Sequence, residues 1–168
     1  MVLYRSSKPH VVVLGNLPGT RSYRNLDRFE NAGLPKDEIV IRFDDQLYFG
    51  NADYFQDTIK KLADDMGEDL RLVLLDFSSI HEIDSTGTHA LKDIFYYFKN
   101  KKVKLYLACV IGPVRDQLKV SGLTDLIGEK NQFLKVHDAL LHHREEDSKS
   151  DYWKPEAIQS NIDPEETG

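Results

Sequence analysis

The chain has 168 residues, of which 40% are hydrophobic and 30% are charged, and its formal net charge is -6 at pH 7. A chain of this length fits one domain of about 100 to 150 residues with an additional segment. The acidic balance argues against a nucleic-acid-binding surface, and no run reaches the roughly 18 apolar residues that a membrane-spanning helix needs. The single cysteine, Cys109, cannot form an internal disulfide and fits a reducing compartment.

The first half of the chain predicts strands before the first helix. Residues 11–14 are an apolar run typical of a strand, and a long polar loop follows them. Residues 39–43 and 47–49 are apolar runs separated by three polar residues, which predicts a β-hairpin. Apolar residues at helical spacing predict a helix over residues 52–66, with Asn51 as its N-cap.

The second half of the chain alternates strands with helices. Its predicted elements are a strand at 70–76, a helix from Ser85 to about residue 99, a strand at 104–109, a helix starting near Pro113, a short edge strand at 126–127 and a final helix at 136–143. Cys109 lies in one of the apolar runs, so we expect a buried thiol rather than a nucleophile. This alternation predicts an α/β fold, a mixed β-sheet of four to six strands with four to five α-helices packed against it.

Ser85 lies where a buried strand is followed by an amphipathic helix. Its hydroxyl can cap the free N–H groups of the helix start, and a phosphate on it would meet those groups and the positive end of the helix dipole. As a plain N-cap, Ser85 would stabilise the helix by about 1 kcal/mol and need no further role.

The residues around Ser85 point to a second interpretation. Gly87 lets another backbone approach closely, and Thr86 and Thr88 add hydroxyls to one small surface, as a recognition or phosphorylation site requires. Asp84 opposes phosphorylation, because a phosphate beside it meets a like charge.

Signals of catalysis are weak. The sequence has no phosphate-binding Gly-rich loop and no Cys or His pair at zinc spacing, so we expect neither an enzyme nor a metal site. His142 and His143 are adjacent and point in different directions on a helix, which makes a poor chelating pair. His81 and His89 flank the Ser85 turn, where they either sense pH, approach a phosphate or are ordinary surface or packing residues.

Three segments carry a resemblance to a known family. The motif D-x-S-x-x-x-x-x-D-S-T-G at residues 76–87 resembles the signature of STAS domains, the fold of bacterial anti-sigma-factor antagonists and of the cytoplasmic tails of SulP-type anion transporters. H-V-V-V-L-G-N-L-P-G-T-R-S-Y-R-N-L at residues 10–26 and D-D-Q-L-Y-F-G-N-A at residues 44–52 resemble the SulP tails in particular. The resemblance implies a STAS domain over residues 9–143, preceded at residues 1–8 by an artificial start or a membrane-exit linker.

The resemblance also implies a function. We expect a regulatory or interaction domain of a bacterial SulP-type transporter of sulfate, bicarbonate or a similar anion, at the cytoplasmic face of the inner membrane, with this chain alone being soluble. The expected partners are the membrane domain of the same transporter, a second subunit or a soluble cytoplasmic protein. The serine of antagonist STAS domains that matches Ser85 is their phosphoacceptor. The expected contact surface joins residues 84–88 to the loop that contains Leu17, Pro18, Tyr23 and Arg24.

Two alternative functions remain open at this point. One is a soluble anti-sigma-factor antagonist that is switched by serine phosphorylation. The other is a sensor in which the helix start at Gly87 weakly binds a nucleotide, with no other cofactor expected.

Residues 144–168 differ in composition from the rest. They contain eight acidic and three basic residues, which accounts for most of the net charge, and few apolar ones. We therefore predict an acidic, flexible tail that is dispensable for the fold, with Tyr152 and Trp153 either solvated or docked on the body of the domain or on a partner.

Overall fold

The computed structural model describes residues 8–16, 23–25 and 35–152, which form one sheet with helices on both faces. The strands are β1 (Val11–Asn16), β2 (Tyr23–Asn25), β3 (Glu38–Phe43), β4 (Leu72–Asp76), β5 (Lys104–Ala108) and β6 (Gln132–Phe133). The helices are α1 (Ala52–Asp65), α2 (Ser85–Asn100), α3 (Gly112–Val120), α4 (Leu123–Ile127) and α5 (Val136–Tyr152), with a 3-10 turn at Glu129–Asn131. None of these helices combines the length and the apolar character needed to cross a bilayer.

The sheet is mixed, as the sequence predicted. Its strand order is β2-β1-β3-β4-β5-β6, in which β1 is antiparallel to both β2 and β3. The strands from β3 to β6 are parallel to one another. The carboxyl ends of the parallel strands therefore share one edge of the sheet, and the amino ends share the other.

Both faces of the sheet are covered, because successive side chains of a strand point to opposite faces. Ile39 and Val73 belong to the larger core, which includes apolar residues of α1, α2, α3 and α4. Val40 and Leu72 belong to a second core, which α5 covers with Ala139 and other apolar residues. All five residues of β4 are buried, which confirms the prediction of a strand enclosed on both sides.

Helices α1 and α2 also match their predicted positions. Their buried residues recur at helical spacing, with Phe55 and Ile59 in α1 and Leu91, Ile94 and Phe98 in α2. Asn51 directly precedes α1, but its side chain makes no cap hydrogen bond. Instead, it accepts from the Tyr48 N–H at 3.1 Å and donates to the Gln46 carbonyl oxygen at 2.7 Å, so it stabilises the loop before α1.

Two predicted strands were wrong. Residues 47–49 do not form a hairpin with β3, because Leu47 makes a parallel bridge to Ile83, beyond β4. Residues 126–127 belong to α4 rather than to an edge strand. Gly122 and Gly128 lie on either side of α4 at φ values of 80° and 93°, and the edge strand follows as β6.

The predicted end of the last helix was also wrong. Helix α5 continues through Tyr152, so the segment from residue 144 to residue 152 is helical rather than a flexible tail. The Arg144 guanidinium pairs with the fully buried Glu38 carboxylate at the start of β3, with an Nε to Oε1 distance of 3.1 Å. Lys104 Nζ donates to Glu146 Oε2 at 3.0 Å. Residues 153–168 lie outside the described residues, and their predicted dispensability stays a prediction.

Candidate functional site

The residues predicted to form a site, Asp84 to Thr88, lie at the carboxyl edge of the sheet. A loop joins the end of β4 to α2, and Ser85 is the first residue of that helix. The predicted group of residues is therefore contiguous on a helix start, as the sequence indicated.

Asp84, rather than Ser85, caps helix α2. Asp84 has extended backbone angles, φ -96° and ψ -179°, and its Oδ1 accepts from the Gly87 N–H at 2.7 Å. The expectation that the Ser85 hydroxyl is the cap was wrong, because Ser85 is already the first residue of the helix and the Gly87 N–H is bonded to Asp84.

The Asp84 carboxylate also ties a distant loop to the helix start. Its Oδ2 accepts from the Phe49 N–H at 2.9 Å. The backbone of Leu47 is held at two further points, since its N–H donates to the Glu82 oxygen at 3.0 Å and its oxygen accepts from the Asp84 N–H at 3.1 Å. One side chain and a short parallel bridge therefore fasten residues 47–49 to the start of α2.

Gly87 permits this close approach. A Cβ atom at Gly87 would lie 2.6 Å from the Leu47 oxygen and 2.9 Å from the Ile83 Cγ1. The prediction that Gly87 lets another backbone come near is confirmed, and that backbone belongs to the loop before α1.

The polar groups of the site divide into exposed and structural ones. Ser85, Thr86 and His89 are exposed, whereas Thr88 is half-buried and its hydroxyl donates to the Ser85 carbonyl oxygen at 2.9 Å. His81 is exposed in the loop before α2. The hydroxyls of Ser85 and Thr86 are thus accessible to a partner or to a modifying enzyme, while Thr88 helps to hold the first helical turn.

Sequence reasoning missed Phe49, which stands beside this helix start with 77% of its surface exposed. The sequence suggested an apolar strand residue. In the structure its N–H is bonded to Asp84, and its ring lies edge-on to the Tyr48 ring with centroids 5.5 Å apart. We use the name Ser85 surface for Phe49, Ser85, Thr86 and His89. Ser85 and His89 are four residues apart and share one face of α2.

Arg42 and Asp44, at the same edge of the sheet, form an ion pair. The Arg42 guanidinium donates to both oxygens of the Asp44 carboxylate, at 2.6 and 3.1 Å. Partial burial acts to raise the pKa of Asp44, but the hydrogen bond and the charge of Arg42 outweigh it, so that this pKa lies below its ordinary value.

Cys109 follows β5 and is half-buried. Burial, together with the charge of Asp76, raises the pKa of its thiol. The expectation of a buried strand thiol was wrong in part, because Cys109 lies just beyond β5 at a φ of 60° and is half-buried. A thiolate is the nucleophilic form of cysteine, so the raised pKa disfavours a nucleophilic role.

The other predicted contact residues are only partly described. Leu17 and Pro18 lie outside the described residues. Tyr23 and Arg24 form β2, where they pair with Asn16 and Gly15 of β1, and only their backbone is described. That this loop joins the Ser85 surface in one contact region stays a prediction.

Comparison with known protein families agrees with this fold. The model of the STAS domain matches residues 28–139, and the chain therefore belongs to the STAS domain family. Sulfate transporter 1.3 of Arabidopsis thaliana is 33% identical over 147 residues, which cover 83% of this chain and 22% of that protein. The chain spans about a quarter or less of the length of the curated relatives it matches.

Solved structures support the same fold. The murine anion transporter Solute Carrier 26 family member A9 matches with a TM-score of 0.75 at 22% identity, over 81% of this chain and 22% of that one. A Thermotoga maritima protein assigned as an anti-sigma factor antagonist matches with a TM-score of 0.58 at 16% identity, over 67% of this chain and 92% of that one. At these identities the likeness establishes the fold alone.

Proposed function

We propose that the chain is the regulatory STAS domain of an anion transporter related to the sulfate transporters, and that it acts by binding the membrane domain of the same protein on its cytoplasmic side. Sequence similarity to sulfate transporters over most of the chain supports this assignment. The observation that carries the proposed mode of action is the Ser85 surface, which offers hydroxyls and an imidazole on the start of α2 and an aromatic ring on the loop bonded to it.

Phe49 is the expected anchor of this contact. The Phe49 side chain is 77% exposed, so a partner that covers it removes apolar area from water, which is favourable. Its backbone is fixed by Asp84, so little conformational freedom of the main chain is lost when a partner binds. Aromatic residues in such positions often contribute a large share of the binding free energy of an interface.

Phosphorylation of Ser85 would act on the same surface. A phosphate on Ser85 would carry about -1.5 to -2 charges beside the Asp84 carboxylate and compete with it for the N–H groups of the helix start. Because Asp84 also binds the Phe49 N–H, repulsion between the two anions would loosen Phe49. The modification would therefore weaken a contact that depends on that ring. The same Asp84 charge opposes the binding of a nucleotide phosphate at this helix start.

The test is anion uptake by the full-length transporter in cells. Phe49→Ala and Thr86→Arg should both lower uptake several-fold at unchanged membrane expression, because they remove the anchor or place a bulky charge in the contact. Gln117→Arg, at an exposed position of α3, is the matched control and should leave uptake near the level of the parent protein. Equal uptake by all three variants would contradict the proposed contact surface.

A second candidate function is a soluble antagonist switched at Ser85, and the exposed hydroxyl of Ser85 favours it. The DNA sequence immediately upstream of the region that encodes this chain would distinguish the two functions. A preceding reading frame with about ten to fourteen apolar spans would support the transporter, and a start codon near Met1 would support the antagonist.

A further inference from the structure

Three titratable side chains meet at the amino edge of the sheet, at the opposite end of the parallel strands from Ser85. The His143 Nε2 lies 3.4 Å from Asp147 Oδ2 and 3.8 Å from Asp37 Oδ2. One ligand atom from each residue lies within 4.8 Å of the other two. Asp37 directly precedes β3, whereas the other two residues are four apart on α5.

His143 is buried without a hydrogen-bond partner. Its side chain is 1% exposed, and neither Nδ1 nor Nε2 makes a hydrogen bond. The ring stands edge-on to Tyr106 of β5, with centroids 6.4 Å apart at 87°. A buried polar group without a hydrogen-bond partner costs free energy. The His143 Nε2 lies near two carboxylates, and an ion bound between the three groups would satisfy it.

The geometry suits a tetrahedral transition-metal ion. Zinc lies about 2.0 to 2.2 Å from histidine nitrogen and carboxylate oxygen, so two of its ligand atoms are about 3.3 to 3.5 Å apart. The 3.4 Å separation of His143 and Asp147 fits this value. Asp37 and Asp147 are each 42% exposed, which leaves their carboxylates room to close the remaining distance.

The two carboxylates supply negative charge for a bound cation, and the nearby lysine lies on the far side of one of them. Lys104 Nζ lies 3.6 Å from the other oxygen of Asp147, Oδ1, and 3.0 Å from Glu146 Oε2. The Arg144 guanidinium donates to Glu38 Oε1. The oxygen of Asp147 that faces His143 is therefore distinct from the one near the lysine, and Asp37 adds a second negative charge.

We propose that Asp37, His143 and Asp147 bind one divalent transition-metal ion of the zinc class, with water completing the coordination. One imidazole nitrogen and two carboxylate oxygens favour zinc and its neighbours over calcium, which prefers six to eight oxygen ligands. The ion joins α5 to the residue before β3, and it thereby fixes the helix that packs on the second core. This site is independent of the Ser85 surface and of the proposed transport function.

The test titrates the untagged 168-residue chain with zinc chloride by calorimetry and with cobalt chloride by visible absorption. We expect one ion per chain and the intense visible bands of tetrahedral cobalt. Free zinc at about 100 times its dissociation constant should raise the melting temperature by about 5 to 10 °C, and a chelator should reverse the shift.

Variants assign the site. Asp37→Asn, Asp147→Asn and His143→Gln should each weaken zinc binding by about ten-fold or more, by analogy with the effect of altering groups around a metal. His142→Gln and Asp138→Asn, on the same helix but outside the cluster, should bind zinc like the parent chain. If His143→Gln fails to fold, the two half-exposed aspartates still decide the question.

Two outcomes would overturn the proposal. The first is the absence of zinc binding at millimolar concentration, which would leave the cluster as a histidine ion pair. The second is binding that survives both aspartate variants but is lost in His142→Gln, which would place the ion on the neighbouring pair of His142 and Glu146.

Discussion

Replacement of Asp84 by alanine tests whether this side chain organises the site. The substitution removes the cap on the Gly87 N–H and the acceptor of the Phe49 N–H at once. Loss of an N-cap costs about 1 kcal/mol, and loss of a half-exposed hydrogen bond to a charged group costs about 1.5 kcal/mol more. We expect the free energy of unfolding to fall by about 2 to 3 kcal/mol, and the melting temperature by about 5 to 10 °C.

The assay is urea unfolding followed by circular dichroism, with two matched variants. Asp84→Asn keeps an oxygen that can cap the helix, so its loss should stay below about 1 kcal/mol. Ser85→Ala, at the neighbouring exposed position, should change stability by no more than about 0.5 kcal/mol. If Ser85→Ala were as destabilising as Asp84→Ala, the assignment of the cap to Asp84 would be refuted.

Three further predictions address other parts of the fold. Gly87→Ala should lower the free energy of unfolding by about 1 to 3 kcal/mol in urea, because its Cβ meets the loop backbone, whereas Gly112→Ala, in open space, should not. The lowered pKa of Asp44 stabilises the fold above the ordinary Asp pKa of about 3.9, and this stabilisation is lost as pH falls through the lowered pKa. Asp44→Asn should therefore melt at a lower temperature than the parent at neutral pH, and the two melting temperatures should converge in acid. Truncation after Tyr152 should shift the melting temperature by only a few degrees. Truncation after His143 removes Arg144 and leaves the buried Glu38 carboxylate without this partner, which should lower the free energy of unfolding by about 3 to 5 kcal/mol.

The parts of the fold that depend on local patterns were predictable. The apolar run of β4 and the helical spacing in α2 placed the junction at Ser85 within one residue of the observed helix start. The family motif at residues 76–87 fixed the fold class. Gly87 was read correctly as a point of close approach, although the sequence did not say which backbone comes near.

The parts that failed depend on contacts between residues far apart in the chain. Residues 47–49 do not form the predicted hairpin, because Leu47 pairs with Ile83. The sequence around Leu47 contains no pattern that indicates this distant partner. Asp84 and Ser85 are equally good caps by residue type, and backbone angles decide between them. The cluster around His143 was missed because Asp37 is distant in sequence and only the fold brings it to α5.

The double role of Asp84 makes the loop and the helix start one cooperative unit. The amide protons of Phe49 and Gly87 are bonded to the two oxygens of a single carboxylate, so an opening that displaces the Asp84 side chain exposes both of them to exchange with solvent protons. The path from Phe49 to the first turn of α2 therefore runs through that carboxylate. The domain thus contains a short mechanical link, in which displacement of one exposed ring uncaps a helix whose far end packs in the larger core.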